Sequence, residues 1–429
     1  VFSLAAALGR PAPAAAHPLL VHRAHRPPHA VPAAPARPGV SGEADSTWRR
    51  WLDGERLTGE WLGARGWLRD RGFELEGTYI GDLSRALRGG VREQTDYRSL
   101  VDLNGTFDLE RLVGLPGATV FFDAYAIVGD YGSGDVGDFQ IYSNIDNPKD
   151  RLQLAELWWQ QMLFGELLRL KVGKFDANSE FAFVDAAGDF INSSAGFSPT
   201  IFTMVTYPDP GTGVVAFVDP EGPLYAGVGF FDGAAATGAL LGKRGPKTFF
   251  RSDSDHFVIG ELGGNWDETA RFGPGRVAVG PWYHSADFER FDGSSAGGTG
   301  GFFGLFEQRV FALEPEREEG TRDVRLFGQY GWADPDVSAA NHHASLGVLF
   351  TGPFAFRASD TTGAMVTWVD LSDQDAAGFP SDETAVELFY RLQLTSFFSL
   401  KPDLQIIDDP GGLHEDTAVV GTLRFEVGL

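Results

Sequence analysis

Charged and amide side chains occupy alternate positions in several short stretches of this chain, with apolar or small residues between them. Glu156, Trp158 and Gln160 alternate with Ala155, Leu157 and Trp159, and Arg169 and Lys171 alternate with Leu168, Leu170 and Val172. Asp123 and Tyr125 sit among Val120, Phe122, Ala124 and Ala126. Arg325 and Gln329 are set among Val324, Leu326, Tyr330 and Trp332. Glu387, Arg391 and Gln393 are set among Val386, Leu388, Tyr390, Leu392 and Leu394, and Gln405 and Arg424 obey the same rule. Successive side chains of a strand point to opposite faces, so each stretch has one polar face and one apolar face. A wall of such faces trades hydrogen bonds with a polar solute on one side and meets an apolar medium on the other. That is the chemistry of passage rather than of bond making.

Catalytic patterns are missing. His256, His284, His342, His343 and His414 fall in separate segments, and neither H-E-x-x-H nor G-x-S-x-G occurs. His342-His343 beside Asn341 reads as a loop or interface pair. Asp408-Asp409 and Glu318-Glu319 read as solvated turn carboxylates. Asp130, Asp135 and Asp138, spaced by glycines, can approach a Ca²⁺ ion but lack the spacing of an EF-hand loop. His22, His25 and His29 have no rigid scaffold to make them metal ligands. The chain has no Cys, which removes thiolate catalysis, disulfides and Cys-based zinc sites. The expectation is a protein without catalysis, cofactor or metal. A net charge of −24 argues against nucleic acid as a partner, because phosphate binding needs a basic surface.

The alternation recurs from about Arg71 to Leu429. Phe73, Leu75, Gly77 and Tyr79 share a face of the first stretch; Val419, Gly421, Leu423, Phe425 and Val427 share a face of the last. A tilted strand needs about 9–11 residues to cross a bilayer. Strands are expected at 73–82, 98–109, 118–128, 151–161, 167–175, 212–218, 224–231, 256–266, 276–284, 302–311, 322–332, 343–350, 363–371, 384–398, 400–407 and 417–427. Segments 129–150, 178–211, 232–255 and 285–301 read as long Gly- and Asp-rich connections. No apolar run of about 18 residues appears, so helical spans are excluded. A propeller would need a blade-length repeat, and none is found. The expected fold is therefore all-β: a transmembrane antiparallel β-barrel of about 16 strands with a short N-terminal helical segment.

Residues 1–16 read as a signal-peptide remnant, with an apolar core at Phe2–Leu8 and an A-x-A site at Ala14–Ala16. Residues 17–46 read as a flexible Pro/Ala-rich lead-in. Residues 47–70, with Trp48, Trp51, Leu52, Trp61 and Trp67 among charges, allow short amphipathic helices. The barrel is expected over 71–429.

Four stretches resemble one family. Trp61-Leu62-Gly63-Ala64-Arg65, continuing to Gly72-Phe73, resembles the W-G-G-x-R-x-x-L-x-x-x-G opening of the carbohydrate-selective porins of the OprB type. Leu109–Gly117 resembles their leucine-rich turn. Leu154–Gln161 followed by Leu170–Asp176 resembles their central hairpin. Tyr390–Thr395 and Leu400–Ile406, running into Pro410-Gly411-Gly412, resemble their closing pattern. One position departs: Leu429 stands where such barrels usually carry an aromatic residue. The resemblance implies a 16-stranded channel in the bacterial outer membrane that lets glucose-like sugars diffuse inward. It implies as partners small sugars, outer-membrane lipid and lipopolysaccharide, and the assembly machinery, with the channel a monomer or homotrimer. By strand parity the expected pore lining is Asp123, Glu156, Trp158, Arg169, Lys171, Arg325, Gln329, Glu387, Arg391, Gln393 and Gln405. Lys174 and Asp176, beside a long connection, are expected to help shape a constriction. Alternatives left open are an unselective or other-solute porin, a barrel enzyme or adhesin, and a soluble glycan-binding β-protein.

Overall fold

The computed structural model describes residues 54–237, 255–267, 270, 273–313 and 322–429. The expected leader and lead-in, His22, His25, His29, Trp48, Trp51, Leu52 and Glu318-Glu319 lie outside the described residues. Sixteen strands close into one barrel: β1 (Phe73–Arg88), β2 (Thr95–Asp108), β3 (Ala118–Gly129), β4 (Arg151–Leu163), β5 (Leu168–Phe175), β6 (Gly211–Val218), β7 (Leu224–Asp232), β8 (His256–Trp266), β9 (Gly275–Glu289), β10 (Ser295–Ala312), β11 (Asp323–Ala333), β12 (Ala340–Thr351), β13 (Thr361–Leu371), β14 (Glu383–Thr395), β15 (Phe398–Asp408) and β16 (Ala418–Gly428). Each pairs antiparallel with its sequence neighbours, and β16 returns to β1 with Leu423 opposite Leu83 and Val427 opposite Tyr79. Closure leaves no unpaired strand edge, the condition for crossing lipid with strands. No described helix is long and apolar enough to cross a membrane.

The alternation sorts as its chemistry demands. Leu346, Leu388, Val279 and Leu423 lie exposed on the outer wall, while Glu387, Gln405 and Arg424 are buried on the inner one. Arg or Lys on the lipid face costs about 2–4 kcal/mol at the midplane, so a one-residue slip in any such strand is strongly disfavoured. Before the barrel, a 3₁₀ turn at Trp61–Gly63 leads into α1 (Ala64–Arg69). This segment braces the β1–β16 seam. The Leu57 N–H donates to the Gly428 carbonyl at 2.8 Å, and Arg65 Nη2 donates to the Leu429 oxygen at 2.9 Å.

Several boundaries differ from the sequence expectation. Residues 285–301 are not a long connection, because β9 runs to Glu289 and β10 begins at Ser295. The stretch 384–398 contains a strand end and a turn, since β14 stops at Thr395 and β15 starts at Phe398. Ala155 does not share the outward face of Leu157 and Trp159. A bulge opposite Asp123 and Ala124 inserts it between Leu154 and Glu156, so Ala155 is buried while Leu152 and Leu154 face outward. A bulge shifts the alternation by one and re-aims the side chains beyond it.

The two long connections at 130–150 and 176–210 fold into the barrel. The second carries an apolar core with it: Phe181, Phe190, Phe197 and Ile201 pack against inward-facing Phe121, Trp158, Phe175, Phe217, Phe257, Phe303, Phe327 and Phe389 of the wall. This part of the interior is a packed core rather than a wet lumen.

Candidate functional site

The constriction is built by the 176–210 connection as it travels round the inside of the wall. Five of its backbone N–H groups find wall glutamates. Asp176 N–H donates to Glu156 Oε1 of β4 at 3.3 Å, Ala182 N–H to Glu261 Oε2 of β8 at 2.9 Å, and Ala186 N–H to Glu307 Oε2 of β10 at 2.8 Å. Ile191 and Asn192 N–H groups donate to the two oxygens of Glu387 on β14 at 2.7 and 2.9 Å. The connection then turns back. Gln329 Nε2 donates to the carbonyls of Ser194 and Ala195 at 2.9 Å, His343 Nδ1 lies 3.1 Å from Ser198 Oγ, and Tyr125 OH donates to the Pro208 carbonyl at 2.9 Å. A buried backbone donor without a partner is costly, so each of these acceptors fixes a point of the path.

The 130–150 connection fills the opposite side. Arg424 of β16 pairs with Asp82 of β1 at 2.7 and 2.8 Å and donates to Asn144 Oδ1 at 2.8 Å. Arg98 donates to Tyr142 OH at 2.6 Å and pairs with Asp146 at 3.2 Å. Gln405 Nε2 donates to the Tyr142 carbonyl at 2.7 Å. The two connections join where Asn144 N–H donates to Ile191 O and Ser193 N–H to Ile141 O. Asp130, Asp135 and Asp138 do not converge: Asp135 pairs with Arg92, Asp138 is buried, and Asp130 accepts from Tyr97 N–H. Among the described residues no group of three or more His, Cys, Asp or Glu is placed to hold a metal ion.

The expected lining residues lie on the inner side of the wall, but they have different employment there. Glu387, Gln405, Glu156, Asp123 and Lys171 are almost wholly buried, holding the connections or packed beneath them. Trp158 is stacked on Phe121 at 5.0 Å, donates to Glu156 at 2.9 Å and carries Lys171 Nζ 3.9 Å from its ring centroid. It is a core residue of the constriction. Gly173, at φ 143°, breaks the alternation of β5, and Lys174 beyond it is buried with Nζ donating to the Leu154 carbonyl at 2.6 Å. Gln393, near the end of β14 and opposite Ser399, donates to the Thr395 carbonyl at 2.7 Å. Asp176 stands at the start of the connection, where its N–H donates to Glu156 and its Oδ1 accepts from the Asn178 N–H at 2.8 Å.

What stays accessible is a smaller set. Arg325 is 42% exposed and lies 3.5 Å from Asp185 of the connection, which is 38% exposed; Asp323 holds the other side of the guanidinium at 3.1 Å. Arg169 is 21% exposed and pairs with Glu180 at 2.6 Å, sharing that carboxylate with buried Lys171. Arg391 pairs with Asp189 at 3.1 Å, and Arg276 bridges Glu261 at 2.8 Å and Glu307 at 3.6 Å. Burial disfavours the charged form of Glu180, but Arg169 and Lys171 outweigh it and hold the carboxyl down to about 2. Asp185, Glu180, Asp189, Arg276, Glu261 and Glu307 join this set without having been expected from the sequence. A signal for the inward fold was present, since Phe181, Phe183, Phe190, Ile191, Phe197, Ile201 and Phe202 are too apolar for an exposed loop.

The arrangement is a channel wall narrowed by a loop hydrogen-bonded to it, with cations and carboxylates in alternation at its accessible edge. The fold is shared with solved porins. The high-pH structure of Pseudomonas putida OprB superposes with a TM-score of 0.78 at 20% identity, covering 88% of this chain and 99% of that one. Salmonella typhi OmpF in complex with daunomycin reaches 0.53 at 10% identity, over 84% and 99% of the two chains. Porin B of Pseudomonas aeruginosa is 24% identical over 90% of this chain and 93% of its own length. The model of the carbohydrate-selective porin family OprB matches residues 92–429, and the chain belongs to that family.

Proposed function

We propose that this outer-membrane, carbohydrate-selective porin passes small, neutral, glucose-like sugars by passive diffusion, and that Arg325, Asp185 and Arg169 form the polar edge over which they move. The observation that carries this is the half-exposed pair of Arg325 on β11 and Asp185 on the inward connection, 3.5 Å apart. A guanidinium beside a carboxylate offers donors and acceptors together, which suits a hydroxyl that needs both. Exposed pairs of this kind bind weakly, and a channel must release what it binds. The remaining partners we infer are outer-membrane lipid and lipopolysaccharide at the outer wall, the assembly machinery, and a monomeric or homotrimeric state.

The test is ionic current through single channels in a planar bilayer, titrated with glucose. Glucose should reduce the current in a saturable way, and Arg325→Ala should weaken that block while leaving the barrel folded. A current indifferent to glucose in the wild type would remove the sugar reading and leave a general porin.

A further inference from the structure

We infer that Glu156, Glu261, Glu307 and Glu387 act together as positioning residues that set the width of the constriction. This rests on the reading of the protein as a selective channel but concerns how the opening is kept narrow. The four carboxylates come from β4, β8, β10 and β14, and each faces inward. They meet the 176–210 connection at Asp176, Ala182, Ala186 and Ile191-Asn192, in that order along its first leg.

The pattern is directional: in each case a wall carboxylate accepts and a loop N–H donates. A buried N–H left without an acceptor is costly, so each carboxylate fixes one point of the loop. Two cations add to the same leg from the wall. Lys401 Nζ donates to the Asp189 carbonyl at 2.9 Å, and Arg276 Nη1 donates to the Phe183 carbonyl at 2.9 Å. The loop is thus held by its backbone at points spread round the wall, which makes its path independent of the side chains it presents to the solute. Residues such as Asp185 can then tune the solute contact without altering the opening. The barrel ladder itself does not use these carboxylates, so loosening the loop need not open the barrel.

Glu387 is the cleanest place to test this, because it holds two successive N–H groups with its two oxygens. Glu387→Gln keeps the size but replaces one acceptor with a donor that faces an N–H. The full-length protein, purified folded from outer membranes, would be compared with Glu387→Gln, Glu387→Asp and Glu307→Gln. Readouts are single-channel conductance, the largest polyethylene glycol that still enters, and the swelling rate of proteoliposomes in a mono- and a trisaccharide. Glu387→Gln should raise conductance, admit larger polymers and lose several-fold of its preference for the monosaccharide. Glu387→Asp keeps both acceptors and should recover part of that preference. The heat-modifiable form should persist throughout, so that the change lies in the opening and not in the barrel. If Glu387→Gln does not fold, Glu307→Gln decides in the same way. A folded variant with the wild-type polymer limit and conductance would overturn the inference. Polymer entry does not depend on sugar recognition, so a wild type without sugar preference would undo the functional reading alone.

Discussion

At the scale of single residues, the interior is governed by which charges are paired and which are reachable. Asp82 and Arg424 are both fully buried and joined by two hydrogen bonds. Removing one partner of a buried pair costs about 3–5 kcal/mol, because the other charge is left without compensation. Asp82→Ala should therefore lower the temperature at which the heat-modifiable form is lost, far more than Arg325→Ala. Arg325 is partly exposed, and truncating it should cost about 1 kcal/mol or less. Equal losses from the two variants would contradict this ranking. Glu180 gives a pH prediction. Its folded value of about 2 lies below the ordinary 4.5, so its contribution to docking the loop is complete above about 4.5 and fades as pH falls towards 2. The stability difference between wild type and Glu180→Gln should be flat at neutral pH and shrink only in strong acid. A difference that shrinks instead on raising pH from 6 to 9 would contradict the assignment.

At the scale of elements, strand faces were legible, whereas the paths that the loops take inside the barrel were not. Val386, Leu388 and Leu392 alternate with Glu387 and Arg391 without interruption, so β14 could be oriented from its sequence alone. Ala155 could not, because a bulge depends on the partner strand and leaves no local mark. The ends of β9 and β10 were lost for a related reason: Gly297, Gly298, Gly300 and Gly301 look like a loop by propensity, yet the ladder carries them as strand. Tertiary pairing overrides such weak preferences. Close approach of backbones also escapes a one-strand reading. A Cβ on Gly280 would lie 1.9 Å from the Gly260 carbonyl of β8. Gly280→Ala should consequently destabilise the barrel by about 1–3 kcal/mol, seen as earlier loss of the heat-modifiable form. Unchanged thermal behaviour would mean that β8 and β9 separate there at little cost.

At the scale of the whole molecule, two inward connections turn a wide cylinder into a narrow channel. Parity placed Glu156, Lys171, Glu387 and Gln405 on the correct side of the wall. It did not distinguish a group that faces solute from one that faces a loop, because both lie on the inner face. That distinction needs the path of the 176–210 connection, whose aromatic residues bury themselves in the barrel rather than in water. The accessible edge that remains, with Arg325, Asp185 and Arg169, carries both signs of charge, so neither anions nor cations gain a one-sided attraction there. A neutral, hydroxyl-rich solute suits such an edge best. The most direct measurement is swelling of liposomes carrying the purified protein, in isosmotic glucose and in a neutral amino acid of similar size. Swelling should be faster in glucose than in the size-matched amino acid. Rates that follow solute size alone would contradict this.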